Sequence, residues 1–181
     1  MHERGFTLIE VLIALAILGA SALVTGRFLA ATTNAMAQAR AQTTTATLGI
    51  ARMEQLRALN WTFDSSGAPL TDLTTDLSTN PPSQGGSGLL PSPVAALDEN
   101  TSRFVDYLDE RGEWIGSDTA PPPGAMFVRR WAVYLPADGA VDTLVLQVLV
   151  RRVVDDVAVA RSARGARAES RFVTVRTRTS R

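Results

Sequence analysis

The 181-residue chain has no cysteine, no lysine and a single histidine, His2. Without cysteine there is no disulfide framework and no thiolate, whether nucleophile or metal ligand. With His2 as the only imidazole, a Ser/His triad and nearly every His-ligated metal centre are excluded as well. Aromatic residues are few, at 3 Trp, 2 Tyr and 6 Phe. No glycine loop that would cradle a phosphate and no activated nucleophile is present. Enzyme chemistry therefore has little to work with, and neither a cofactor nor a metal is expected.

The 18 basic residues, all arginine, balance 18 acids, but they are placed unevenly. Residues 1–60 hold 5 Arg against 3 acids, 61–142 hold 4 against 12, and 151–181 hold 9 against 3. An acidic middle and a basic end attract each other, within one subunit or between neighbours. The length leaves room for one ordinary domain plus something long and thin, and not for two full domains.

What is present begins with an apolar run. From Phe6 to Gly26 every residue is uncharged except Glu10, and a lone carboxylate there costs on the order of 2–3 kcal/mol unless something pairs with it. As a helix the run is roughly 31 Å long, enough to cross a bilayer's hydrocarbon core. Three plain readings fit such a run: a cleaved secretory signal, a single-pass anchor or a buried core helix. "GASA", Gly19 to Ala22, resembles a leader-peptidase site; against a signal, "MHERG" carries Glu3 beside Arg4, and Glu10 interrupts the run. The helical pattern also continues. Arg27 to Leu59 is proline-free and alanine-rich, and it reads as one helix despite Gly49. The whole would span roughly 80 Å. Ile50, Met53, Leu56 and Leu59, spaced by threes, read as the stripe that packs on a globular domain.

"RGFTLIEVLIALAILGASAL" closely resembles the amino-terminal signature of type IV prepilins and type II secretion pseudopilins, the class III signal sequence. The resemblance covers Arg4 to Val24. It implies cleavage between Gly5 and Phe6 by a membrane prepilin peptidase on the cytoplasmic side, and N-methylation of the new terminus at Phe6. The residue types suit that processing. Gly5 offers no side chain to obstruct a protease, and Arg4 holds the leader on the cytoplasmic side. Removing five residues leaves the apolar helix on the mature protein. Glu10 then corresponds to the family's glutamate that faces the amino terminus of a neighbouring subunit, so that two charges expensive alone neutralise each other on assembly. The alternative for Glu10 is to sit at the interface and snorkel to the headgroups.

After Trp61 the chain changes. Asp64 to Ser102 is dense in Ser, Thr, Gly, Pro and Asp and reads as a long irregular connection with a short helix or strand near Leu70 to Leu77. "RFVDYLDERGEWIG" reads as two strands around a turn at Asp109 to Gly112, "MFVRRWAVYLP" as a strand ending at a turn with Asp138 and Gly139, and "TLVLQVLVRRVV" as the most apolar and central strand. The polar "DDVAVARSARGARAES" connects it to a last strand, "RFVTVRTRTS". The expected fold is α+β, the pilin fold: one long amino-terminal helix on a small antiparallel sheet of about four strands. The expected division is a leader over 1–5, a transmembrane and assembly half over 6–27, an amphipathic half over 28–60, a variable loop region over 61–102 and a sheet domain over 103–181.

The strand pattern is similar to minor pilins of the PilV type and I-type pseudopilins. The family's major pilins often have a mid-helix proline and a carboxy-terminal disulfide loop; this chain has neither, which favours a minor subunit. The resemblance implies an inner-membrane protein with a cytoplasmic amino terminus and a periplasmic domain, partnered by prepilin peptidase and other pilins, in a type IV pilus, a type II secretion system or a competence apparatus. A competing class is a membrane-tethered module that contacts DNA or a surface ligand through Arg161, Arg164 and Arg167 and the further arginines 171, 176, 178 and 181. Asp106, Asp109, Glu110 and Glu113 crowd one hairpin without calcium-loop spacing and read as a solvated turn; Asp155-Asp156 reads as another turn.

Overall fold

Alanine, leucine, isoleucine and threonine in an uninterrupted proline-free run give helix α1, Leu8–Ala58. In a computed structural model that describes residues 7–72, 74–83, 85, 87–136, 142–162 and 168–178, the chain falls into two compact units, Met1–Arg40 and Ala41–Arg181. α1 contributes to both. In the first unit, it opens with the Thr7 carbonyl accepting from the Glu10 and Val11 amides, and its large apolar side chains are exposed, from Leu8 at 81% to Phe28 at 70%. It is the one helix among the described residues long and apolar enough to cross a membrane.

The second unit holds every buried described residue. After α1 come two short strands paired to each other, β1 (Thr62–Phe63) and β2 (Pro69–Leu70), and a 3-10 turn at Val94–Leu97. Then follow β3 (Val105–Leu108), β4 (Trp114–Gly116), β5 (Phe127–Tyr134), β6 (Thr143–Arg152), helix α2 (Val153–Ser162) and β7 (Glu169–Thr177). β3 to β7 form one antiparallel sheet in the order β4-β3-β5-β6-β7. The architecture is the expected α+β, pilin-like one, with five strands in the main sheet and a small ribbon beside it.

Period-two alternation and register decide the two faces. Leu108, Phe127, Trp131, Val133, Leu146, Val148 and Val150 line one face. The end of α1 lies on it, closely enough that a Cβ on Gly49 would come 2.5 Å from the Phe172 ring. Gly49 is thus where helix meets sheet, and its missing side chain is the reason they can. On the other face Val105, Tyr107 and Val128 form a second small cluster with Ile115, Ala125 and Val153.

Two readings need correction. β5, not β6, is the middle strand, because the β3–β4 hairpin pairs with the far edge of β5. The segment after β6 is a helix, α2, with Asp155 and Asp156 in its first turn, where the helix dipole favours carboxylates; these two are not a turn. The turn expected at Asp138 and Gly139 lies outside the described residues.

Candidate functional site

Gly5 and Phe6 lie outside the described residues. Glu10 stands in the first turn of α1, exposed, and makes no ion pair among the described residues. Its carboxylate is placed well for the positive end of the helix dipole but has no counter-charge in this chain's described part. Hydroxyls farther along do not share the difficulty. Ser21 Oγ donates to the Ile17 carbonyl at 2.8 Å, Thr25 to Ser21 at 2.9 Å, and Thr32 to Phe28 at 2.8 Å. Each polar group is satisfied by the helix itself, as an apolar surrounding demands. Glu10 is the one acidic residue in Leu8–Ala51, a stretch otherwise able to sit in hydrocarbon at its start.

Of the expected packing stripe, Met53 and Leu56 are buried in the core and Leu59 is half-buried against it, whereas Ile50 is 51% exposed and takes no part. At 100° per residue the inward set on this helix is Thr45, Gly49, Arg52, Met53 and Leu56. Ile50 is turned away from it. The residue that spacing by threes passed over is Arg52.

Arg52 is at the centre of a clasp between α1 and the sheet. Its Nη2 donates to Asp106 Oδ2 on β3 in a short ion pair, its Nη1 donates to the Leu77 carbonyl at 2.7 Å, and its guanidinium lies 4.3 Å over the Trp131 ring. From β5, Arg129 donates to the same carboxylate through Nε at 3.0 Å and Nη2 at 2.7 Å, and through Nη1 to the Leu48 carbonyl on α1 at 3.3 Å. Asp106 is completely buried. It is therefore not part of a solvated turn, and this corrects the hairpin reading for Asp106; Asp109, Glu110 and Glu113 do lie at the turn, Glu110 and Glu113 exposed and Asp109 Oδ1 accepting the Arg111 and Glu113 amides, both at 2.8 Å. Burial, opposed by Asp106 and assisted by Arg129, brings the Arg52 pKa down to about 10.

A second ion group sits on the opposite face. Arg130 forks onto Asp156 of α2 at 2.8 and 2.6 Å and onto Asn100 at 3.0 and 2.6 Å. Arg151 bridges Glu169 at 2.8 Å and Asp156 at 3.4 Å; at the end of β6 Arg152, which is in register with Phe127 and so belongs to the first face, pairs with Asp155 at 2.8 Å. Beside them, burial lifts the Tyr107 phenol to about 12.

The arginines considered for DNA divide into two groups. Arg161 belongs to α2, and Arg164 and Arg167 lie outside the described residues. Arg171 donates to Gln147 at 2.8 Å, Arg176 donates to the Leu59 carbonyl at 2.9 Å and covers Trp61, and Arg178 covers Phe63 and stands 3.7 Å from Asp142. Each of these last three thus has a partner within the fold, while Arg171 and Arg178 remain exposed. Among the described residues no group of three or more His, Asp and Glu could hold a metal ion.

One buried arginine and one buried aspartate could have been found by alternation. "FVDYL" puts Asp106 between Phe104 and Leu108 on one face, and "FVRRW" puts Arg129 between Phe127 and Trp131.

Residues 1–26 match the family model described as the prokaryotic N-terminal methylation motif. No curated protein and no solved structure is found to match the chain. The motif and the apolar helix that begins within it fit anchoring in the inner membrane. The chain thus carries, over its first 26 residues, the methylation motif of type IV pilin-like and pseudopilin-like precursors.

Proposed function

We propose that the protein is a structural subunit, a minor pilin or pseudopilin, rather than an enzyme. Prepilin peptidase cuts between Gly5 and Phe6 at the cytoplasmic face, Phe6 is N-methylated, and the subunit leaves the inner membrane for a filament with its second unit on the periplasmic side. The observation that carries this reading is the methylation motif running directly into a helix whose apolar residues are exposed on every side. Such a surface needs either lipid or the helices of other pilins around it. Glu10 supports the second surrounding, because its charge is matched by the new ammonium on Phe6 of a neighbour and by nothing in lipid. A subunit lacking the mid-helix proline and the disulfide loop of major pilins serves to start or cap a filament.

The test is intact-mass and amino-terminal analysis of protein taken from its own membranes. The expected chain begins at a methylated Phe6. One beginning after Ala22 would mark a secreted protein, and one beginning at Met1 a plain anchor; either overturns the reading. Glu10→Ala is expected to leave cleavage and membrane insertion intact while removing the subunit from filaments.

A further inference from the structure

We propose that the cleft between α1 and the β3–β4 hairpin binds a monocarboxylate carried on an apolar body. The cleft encloses about 260 Å³, the size of a small fragment rather than of a large cofactor. Leu48, Leu77, Leu108 and Trp114 give it apolar walls, and its only charged lining residues are Arg52 and Arg129. Both are cations, and they share one anion, Asp106. The site therefore holds one positive charge in excess.

The guanidinium donors are also incompletely used. The hydrogen bonds of Arg52 and Arg129 go to Leu77, Leu48 and Asp106, which leaves N–H groups over; Arg52 Nε has no acceptor but is closed off from solvent, so the edge open to a ligand is that of Arg129. The Arg129 side chain keeps 8% of its surface exposed and that of Arg52 3%. A carboxylate is the group that complements one surplus positive charge and a guanidinium edge at once, whereas a dianion would overshoot the charge. Gln55 and Asn80, both exposed, add polar side chains to the lining, and the apolar walls take the body of the ligand. The site uses the carboxy-terminal end of α1, from Leu48 onward, and not residues 6–27, and it does not depend on the filament reading.

The experiment titrates the full-length chain in a neutral sugar detergent with benzoate, following the indole N–H signals of Trp114 and Trp131 and the arginine Nε signals by NMR. Benzamide, chloride and phosphate are titrated in parallel. Saturable benzoate binding with Kd of about 1–10 mM is expected, with benzamide at least about tenfold weaker, and shifts centred on Trp114 and Arg129. Ala51, an exposed residue of α1 on the cleft, supplies the control: Ala51→Trp fills the space without entering the core, and is expected to abolish the isotherm while the Trp61 signal stays in place. Equal binding of benzamide would reduce the site to an apolar hollow. Equal shifts from chloride or phosphate would make it an unselective anion patch. Either result, an absence of saturation, or benzoate binding unaltered by Ala51→Trp overturns the proposal.

Discussion

Without its carboxylate, Asp106 would leave two guanidiniums buried side by side with no anion. Asp106→Asn is accordingly expected to cost about 3–5 kcal/mol, read as a lower urea midpoint for the full chain in detergent. Gly49 makes the opposite kind of demand, for absence. In an open helix Gly→Ala gains about 1 kcal/mol, yet here the added methyl meets Phe172 inside contact distance, and overpacking of that kind costs about 1–3 kcal/mol. Gly49→Ala is expected to lower stability; a gain in the same urea titration would mean that the ring moves freely aside. Titrating groups act at both ends of the pH range. The Tyr107 phenol, raised by burial from 10.0 to about 12, gives stability that is fully present below pH 10 and is lost as pH rises through about 12. A spectroscopic phenolate titration should therefore show one tyrosine ionising late. Asp72, held below its ordinary 3.8 chiefly by the Ser87 and Thr74 amides, contributes above pH 3.8 and ceases to as the pH falls below it. At this scale the sequence was readable where chemistry follows type, as with Met53 and Leu56. It was misread where a charged residue occupied an inward position, because composition marks Asp106 and Arg52 as surface residues while register buries them.

Among the elements, α1 was plain from composition, and its register was not. Spacing by threes selects Ile50, whereas the turn of 3.6 residues selects Gly49, Arg52, Met53 and Leu56. α2 was missed because "DDVAVARS" is short and polar; its acids at the start, opposite the arginines of β5 and β6, were the available signal. The two acids are not equivalent. Asp156 answers Arg130, which is buried, while Asp155 answers Arg152, whose side chain is 33% exposed. Asp156→Asn is expected to cost about 2–3 kcal/mol, since Arg130 is left buried without its anion, and Asp155→Asn, whose carboxylate is itself only 9% exposed but whose partner reaches solvent, about 1–2 kcal/mol, a difference that thermal unfolding of the two variants would resolve. Gly26 offers a contrast with Gly49. Nothing lies within 4 Å of a Cβ there, so Gly26→Ala is expected to stabilise the helix of the isolated chain by up to about 1 kcal/mol, and any loss of filament incorporation would report contacts made by other helices.

For the whole molecule, every buried described residue lies from Thr45 onward, and the unit Ala41–Arg181 has its own core. A chain starting at Ala41 is expected to fold and stay in solution without detergent, as circular dichroism and gel filtration would establish; precipitation would mean that the first unit's apolar surface is needed for the second to form. The class and strand sequence were legible because alternating apolar residues and turn signals are local. The order of strands and the cleft were not, since each depends on residues far apart in the chain coming together, and the ribbon at β1 and β2 was not because its strands are only two residues each. The seat of Gly49 on Phe172 has a mechanical side. A subunit under tension along α1 can yield by letting the helix slip on the sheet, and the smallest slip that restores helical geometry is one turn, about 5.4 Å. A turn in one direction brings Thr45 to the ring and a turn in the other brings Met53, and neither fits where a hydrogen atom now sits. The same slip pulls Arg52 from Asp106. Helix and sheet are thereby held by a detent that resists load in both directions, and force applied to one is transmitted to the other instead of being dissipated between them.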